Sequence, residues 1–353
     1  MAARITGFRI WGRTMPLRHA SRDCLPPAPI HLPAAGGEIA FGRYAGLVDG
    51  IDWSKLARPH ARSRWWRRFH HKRWQYVALA TEDLFCGIAI VDIGWTNTAF
   101  AYAFDRKLRR EIGSYRQDGV PGLTARLANR PGESSSFRYL SNRIDFLSGE
   151  RPGEFRLQLR CGRFEIDAQI DSRHAAPFLL AVGAVEGGSV HATQKSPALG
   201  LTGEVRCDGN RYQLEGGTAS LDYSNGLLAR ETSWRWASAH GPDHGFNLQA
   251  GYFGGNENAL WLDGELIPLG AARFVHDALN PMAPWRIHTE DGLLDLVFRP
   301  EGMRREDKNL LVAASRYVQP IGVFEGWIRP SAEAQPRRID RLVGVTEDHY
   351  SRW

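Results

Sequence analysis

From Tyr76 onward the chain alternates apolar and polar positions in short runs separated by turn residues. A period of two is the signature of a half-buried strand, because successive side chains leave a sheet on opposite faces. Runs at 76–80, 85–92, 98–104, 108–115, 123–128, 136–140, 143–148, 154–160 and 163–170 predict a first set of strands. In the third of these, Phe100, Tyr102 and Phe104 share a face opposite alanines, the pattern of a barrel lining or a core-facing strand. The clearest alternation lies between Gly216 and Gly264. There Thr232, Trp234, Trp236 and Ser238 share one face, and Phe246, Leu248, Ala250 and Tyr252 alternate after the loop His240–Gly245. Asp263-Gly264 reads as a type I′ hairpin turn.

Strands resume at 200–206 and 210–215, and follow the central stretch at 265–269, 271–275, 285–289, 294–298, 309–318 and 321–329. Their spacing predicts a mainly β protein of two antiparallel β-barrel or sandwich domains packed side by side. The looser stretch Ala181–Ser196 reads as the crossover, giving an N-terminal domain over 1–190 and a C-terminal domain over 191–353. Helix is expected only within 52–74. Asp52 reads as an N-cap, and Ala61–Arg73 lacks breakers. Residues 1–50, rich in proline and glycine, read as a surface arm, and 335–353 as a tail.

A chain of 353 residues with 12 tryptophans and 16 phenylalanines has ample material for a core. Its four cysteines, at 24, 86, 161 and 207, are too dispersed for a disulfide framework and read as free thiols in a reducing compartment. No run approaches the ~18 apolar residues of a membrane span, so a cytoplasmic protein is expected. Of the +6 net charge, seven positives fall between Arg58 and Tyr76 with no acid among them, which leaves −1 elsewhere. The basicity is therefore one local patch, and nucleic acid is not the expected partner. Five lysines against 40 arginines reflect a general preference for arginine.

Three stretches carry a resemblance: LDYSNGLLARETSWRWASA, GFNLQAGYFGGNENALWLDG and FRPEGMRREDKNLLVAASRYVQPIGVFEGWI. With KRWQYVALATEDLFCGIAIVDIGWTNTAFAYAFD before them, they resemble the bacterial domain-of-unknown-function family 2804 over residues 40–353. More distantly, the paired-tryptophan strand and DG hairpin are similar to the AttH-like and carotenoid hydratase group. That resemblance implies two lipocalin-like β-barrels and, in some relatives, water addition to an isoprenoid double bond or polyene cyclisation. It assigns no catalytic residue.

An alkene hydratase needs a carboxylic acid held neutral by desolvation, aromatic faces for a carbocation, and a placed water. The central stretch supplies both residue types. Asp222 and Glu257 lead as candidate acids, with His244 as a candidate acid or base. Tyr223, Trp234, Trp236, His240, Phe246, Tyr252 and Trp261 are candidate ligand-binding residues. On this reading Trp234 and Trp236 face a cavity in or beside the second domain, on the side of Phe246 and Leu248. Asp222–Gly226 reads equally as a capped turn. His240, Asp243 and His244 lie on a loop that Gly241-Pro242 keeps from being helical, which removes the helical zinc pattern; a loop could still gather the three with His276 or Glu231 as a fourth ligand, but the expectation is a protein without metal or cofactor. Glu347-Asp348-His349 reads as a clamp for the tail.

The expected function is binding of an apolar small molecule (a lipid, isoprenoid or polyene), extending to cofactor-independent hydratase, isomerase or cyclase activity. The alternative is a structural or carbohydrate-binding β-module. A third is a nucleic-acid or membrane-surface protein acting through residues 58–76, where aromatics interleave with cations. The expected packing there sets Trp65 and Phe69, with Trp66 as a third candidate, against a barrel.

Overall fold

The computed structural model describes residues 24–310 and 313–353. Two antiparallel sheets make up almost all of it, one of 15 strands and one of nine among the described residues. The first curls around a core supplied by one face of each strand. Val77 and Leu79, Leu84 to Ile90 at every second residue, and Ala99, Ala101 and Ala103 meet Leu157, Leu159, Ile166 and Ala168 from the other wall. The second winds around Phe246, Leu248, Leu260, Trp285, Ile287, Phe298 and Phe324. The expected two-domain antiparallel β architecture is therefore the observed one.

The chain passes from the first sheet to the second between Leu227 and Glu231. The stretch read as a crossover, with its boundary at residue 190, instead carries the hairpin Leu179–Ala184 and Val190–Lys195. That hairpin belongs to the first sheet and pairs with Thr218–Leu227. Its glycines mark a tight hairpin connection.

The end of the chain departs most from the sequence reading. Leu294–Leu310, Ala313–Ile328 and Arg337–Arg352 are long paired strands, and the supposed tail is central, hydrogen-bonded to Glu231–His240 on one side. Pro300 and Pro320 disguised the continuity. Pro300 sits at a bulge, where the register shifts before Gly302.

Among the described residues helix is confined to Trp53–Lys55, where Asp52 accepts a hydrogen bond from Ser54 N, and Arg64–His70, capped by Ser63. The second helix stops at His71 because the chain turns extended and enters the strand His71–Ala80. Trp65 and Phe69 do not pack against the barrel: they are 74% and 54% exposed. Trp66 turns inward instead, stacking on His70 with ring centroids 3.7 Å apart. The arm from Cys24 pairs His31–Leu32 with Gly50–Ile51, and its earlier part lies outside the described residues. All four cysteines are free, and Asp263-Gly264 adopts the two positive φ angles of a type I′ turn. No helix among the described residues is long and apolar enough to cross a membrane.

The two sheets meet back to back. Tyr76, Phe85, Ala89, Tyr102 and Phe104 from the outer face of the first pack on Trp236, Ile321 and Val345 from the second. The Phe100-Tyr102-Phe104 wall thus faces the partner domain, while the intervening alanines fill the barrel core, where strands crowd closest.

Candidate functional site

The seam between the domains does not close along its whole length. A cavity of about 390 Å³ opens between the sheets. Trp74, Tyr76 and Phe100 line it from the first domain, and Trp234, Trp236 and Tyr252 from the second. Trp74 and Trp234 lie nearly parallel, 6.4 Å between centroids, and Tyr76 meets Trp236 edge-on at 5.7 Å.

One end of the cavity holds a buried charge cluster. Lys195 and Asp222 are paired in register on adjacent strands of the first sheet, with Nζ 2.5 Å from Oδ2. Lys195 Nζ also lies 3.0 Å from Glu257 Oε2, which comes from the loop before Ala259–Leu262 in the second sheet. One ammonium faces two carboxyl groups, so full ionisation would leave a buried negative charge. Burial, joined by repulsion from Asp222, pushes the Glu257 carboxyl up against the opposing pull of Lys195. Burial alone would lower the Lys195 ammonium, but the two acids more than offset it and raise it. The net effect is a Glu257 carboxyl that holds its proton more readily than a solvent-exposed acid does. Nearby, the Gln249 carboxamide lines the cavity with neither polar atom hydrogen-bonded among the described residues.

A second polar group crosses the seam. The Tyr102 hydroxyl donates to Gln319 Oε1 at 2.5 Å, and Gln319 Nε2 donates to Glu347 Oε2 at 2.9 Å. The Trp234 indole N–H donates to Glu347 Oε1 at 2.9 Å, and His349 Nδ1 is 3.2 Å from that oxygen. Arg304 lies 4.1 Å over the Phe100 ring, within the same lining.

Of the residues singled out in the sequence, Asp222, Glu257, Trp234, Trp236 and Tyr252 line this cavity. Asp222 stands within a continuous strand, which removes the capped-turn reading. Five others lie elsewhere. Tyr223, on the opposite face of its strand from Asp222, packs beneath the N-terminal arm and donates to Ala128 O. Phe246 fills the second core against Phe324. The ladder pairs Trp236 with Gln249 and Ala237 with Leu248, so Phe246 and Leu248 share a face with the alanines. Asn247 and Gln249 are the residues beside the tryptophans, and Trp236 donates to Asn247 Oδ1 at 2.8 Å.

His240 does lie on the tryptophan face, but beyond Ser238 in a separate small pocket of the seam. Burial first, and His244 second, lowers its pKa to about 3. His244 sits at the hairpin tip, 2.7 Å from Asp243, which is also bound by Arg337. Trp261 is buried toward the first domain, donating to Pro177 O. Among the described residues no group of three or more His, Cys, Asp or Glu could hold a metal ion.

Lys195, Gln249, Gln319, Glu347 and His349 were not among the candidate site residues, the last two being assigned to a tail clamp. Lys195 had a signal: it is one of only five lysines and ends an otherwise uncharged strand, Val190–Lys195. Glu347 and His349 looked like tail residues because their strand is polar on its cavity-facing side.

The sequence profile of DUF2804, a domain of unknown function, matches residues 28–353. The chain belongs to this family. No protein of curated function matches the DUF2804 chain by sequence. Among solved structures, kievitone hydratase from Nectria haematococca resembles it with a TM-score of 0.51 at 10% identity, over 80% of this chain and 88% of that one. CghA, solved with Sch210972, gives a TM-score of 0.54 at 10% identity, over the same 80% and 88%. A putative AttH from Nitrosomonas europaea gives 0.49 at 15% identity, over 84% and 96%. At such identities the likeness to kievitone hydratase and CghA is one of fold, two lipocalin-like β-domains side by side.

Proposed function

We propose that this protein binds an apolar, unsaturated small molecule in the interdomain cavity and transfers a proton to its double bond. The observation that carries this reading is the Glu257 carboxyl, buried 3.0 Å from Lys195 Nζ and raised by desolvation, in an aromatic-lined cavity. A carboxylic acid kept protonated by desolvation is a competent general acid. In the forward step Glu257 gives its proton to one alkene carbon, and the π pair forms the new C–H bond. The adjacent carbon becomes cationic, and the faces of Trp74 and Trp234 stabilise it. The Glu257 carboxylate left behind is stabilised by the Lys195 ammonium. Addition of water to the cation, with return of a proton to Glu257, completes a hydration. Loss of a neighbouring C–H proton to Glu257 completes an isomerisation instead. Gln249 offers an unpaired donor and acceptor to an oxygen of substrate or product.

Kievitone hydratase, and CghA solved with Sch210972, are compatible with small-molecule chemistry on this fold. A sugar platform would present its rings to solvent, whereas Trp74, Trp234 and Trp236 are enclosed in the seam. The decisive experiment is native mass spectrometry of protein from its own host, to find a co-purified neutral lipid or isoprenoid. Incubating that compound in heavy water with the protein should place deuterium on carbon, and Glu257→Gln should abolish the exchange. Exchange retained in Glu257→Gln would overturn the assignment of the acid.

A further inference from the structure

The helix Arg64–His70 is anomalous on this surface. Elsewhere arginines are mostly paired: Arg73 with Asp92, Arg106 with Glu301, Arg116 with Glu306, Arg130 with Asp49. Arg58, Arg62, Arg64, Arg67 and Arg68 form no ion pair with any carboxylate among the described residues. In their midst Trp65 and Phe69, four residues apart and so on one helical face, stand exposed. Two acids that precede the helix, Asp49 and Asp52, are taken by Arg130 and Lys55.

The position of the helix is equally particular. Lys72, just after it, donates to Phe69 O and to Ile93 O and lies under the Trp353 ring. Ile93 and Trp353 line the interdomain cavity. The Arg68 carbonyl packs so close to Gly94 that a Cβ there would lie 2.2 Å from it. The exposed aromatics thus ride on an element fastened to the cavity rim.

We propose that this helix docks the protein on an anionic lipid bilayer, with Trp65 and Phe69 entering the headgroup boundary and the arginines pairing with lipid phosphates. Two exposed aromatics on one face of a short helix suit insertion at an interface, where amphipathic rings partition. Nucleic-acid stacking platforms are backed by a groove that tracks the strand; here Trp65 and Phe69 stand exposed and line none of the pockets described above. Docked in this way, the cavity rim faces the membrane. The inference goes beyond the cavity reading and does not depend on it.

The test is co-sedimentation of the purified chain with vesicles of phosphatidylglycerol and phosphatidylcholine, at low and physiological salt, beside vesicles of phosphatidylcholine alone. The expected result is binding to the anionic vesicles, weakened by salt, with little binding to the neutral ones. Trp65→Ser/Phe69→Ser should weaken it by at least about tenfold. Arg64→Gln/Arg68→Gln should weaken it by roughly tenfold to thirtyfold, since each basic residue near an anionic surface contributes about 1 kcal/mol. These four side chains lie on the surface, so both variants should keep the parent's circular dichroism and melting temperature. Absence of binding to anionic vesicles would overturn the proposal, as would binding that both variants retain. Tighter binding of a thymidine oligonucleotide than of vesicles at equal salt would assign the patch to nucleic acid instead.

Discussion

Lys195 Nζ lies 3.0 Å from Glu257 Oε2, and the two residues belong to different domains. This contact ties the domain seam to the charge state of the cavity. Its accounting is asymmetric. Removing Glu257 leaves a balanced Lys195–Asp222 pair, whereas removing Lys195 leaves two carboxyl groups buried together. Glu257→Gln should therefore change stability by no more than about 1 kcal/mol, and Lys195→Met should cost about 3–5 kcal/mol. Urea denaturation at neutral pH compares them directly.

The same cluster predicts a pH dependence. A carboxyl whose pKa is higher in the folded protein than its ordinary 4.5 binds more protons folded than unfolded. Its contribution to stability is complete below about pH 4.5 and is lost as pH rises through the folded value. The denaturation midpoint of the parent, relative to that of Glu257→Gln, should fall as pH is raised from that point. A constant difference would place the proton elsewhere.

The two central tryptophans should separate stability from binding. Trp236 is 7% exposed, hydrogen-bonded to Asn247 and packed on Tyr76. Its replacement by alanine should cost about 3–5 kcal/mol. Trp234 is less buried, so Trp234→Ala should cost less in stability. It removes the ring facing Trp74 and the donor to Glu347, and should weaken binding of a hydrophobic fluorescent probe more than Trp236→Phe does.

Lys72 gives a test of the rim. Buried under Trp353, its ammonium has backbone carbonyls for acceptors, and desolvation lowers its pKa to about 7. Unfolded, the same group holds its proton up to its ordinary 10.5. The unfolded chain thus binds more protons between these values, and stability should rise with pH across that window. Lys72→Met should lack this rise when denaturation is followed from pH 7 to pH 10.

Gly302, at the bulge after Pro300, lies against Phe104 of the first domain. A Cβ there would stand 2.3 Å from the Phe104 ring. Gly302→Val should destabilise by about 1–3 kcal/mol through overpacking. Adding Phe104→Leu should recover part of the loss, with a coupling energy read from the double-mutant cycle.

Much of this was written in period-two alternation. It showed the strands, the shared face of Trp234 and Trp236, and the aromatic face of Phe100, Tyr102 and Phe104. Alternation tells which residues share a face but not what that face meets. Phe246 was therefore set beside the tryptophans until the ladder, pairing Trp236 with Gln249, put it in the second core. Asp222 and Glu257 stood out as acids among aromatics, but Lys195, which joins them, comes from a strand whose pairing only the folded chain reveals. Glu347 and His349 were hidden for a related reason. A strand lining a polar part of a cavity has the composition of an exposed tail.

Because one wall of the cavity comes from each sheet, its width depends on how the two sheets are set against one another. Packing at the seam, as at Gly302 and Phe104, works like the stop of an adjustable aperture. Substitutions there can alter which molecules fit while every residue lining the cavity stays unchanged. If the cavity takes a ligand as proposed, a change in the size it accepts should be sought along the seam before it is sought in the cavity wall.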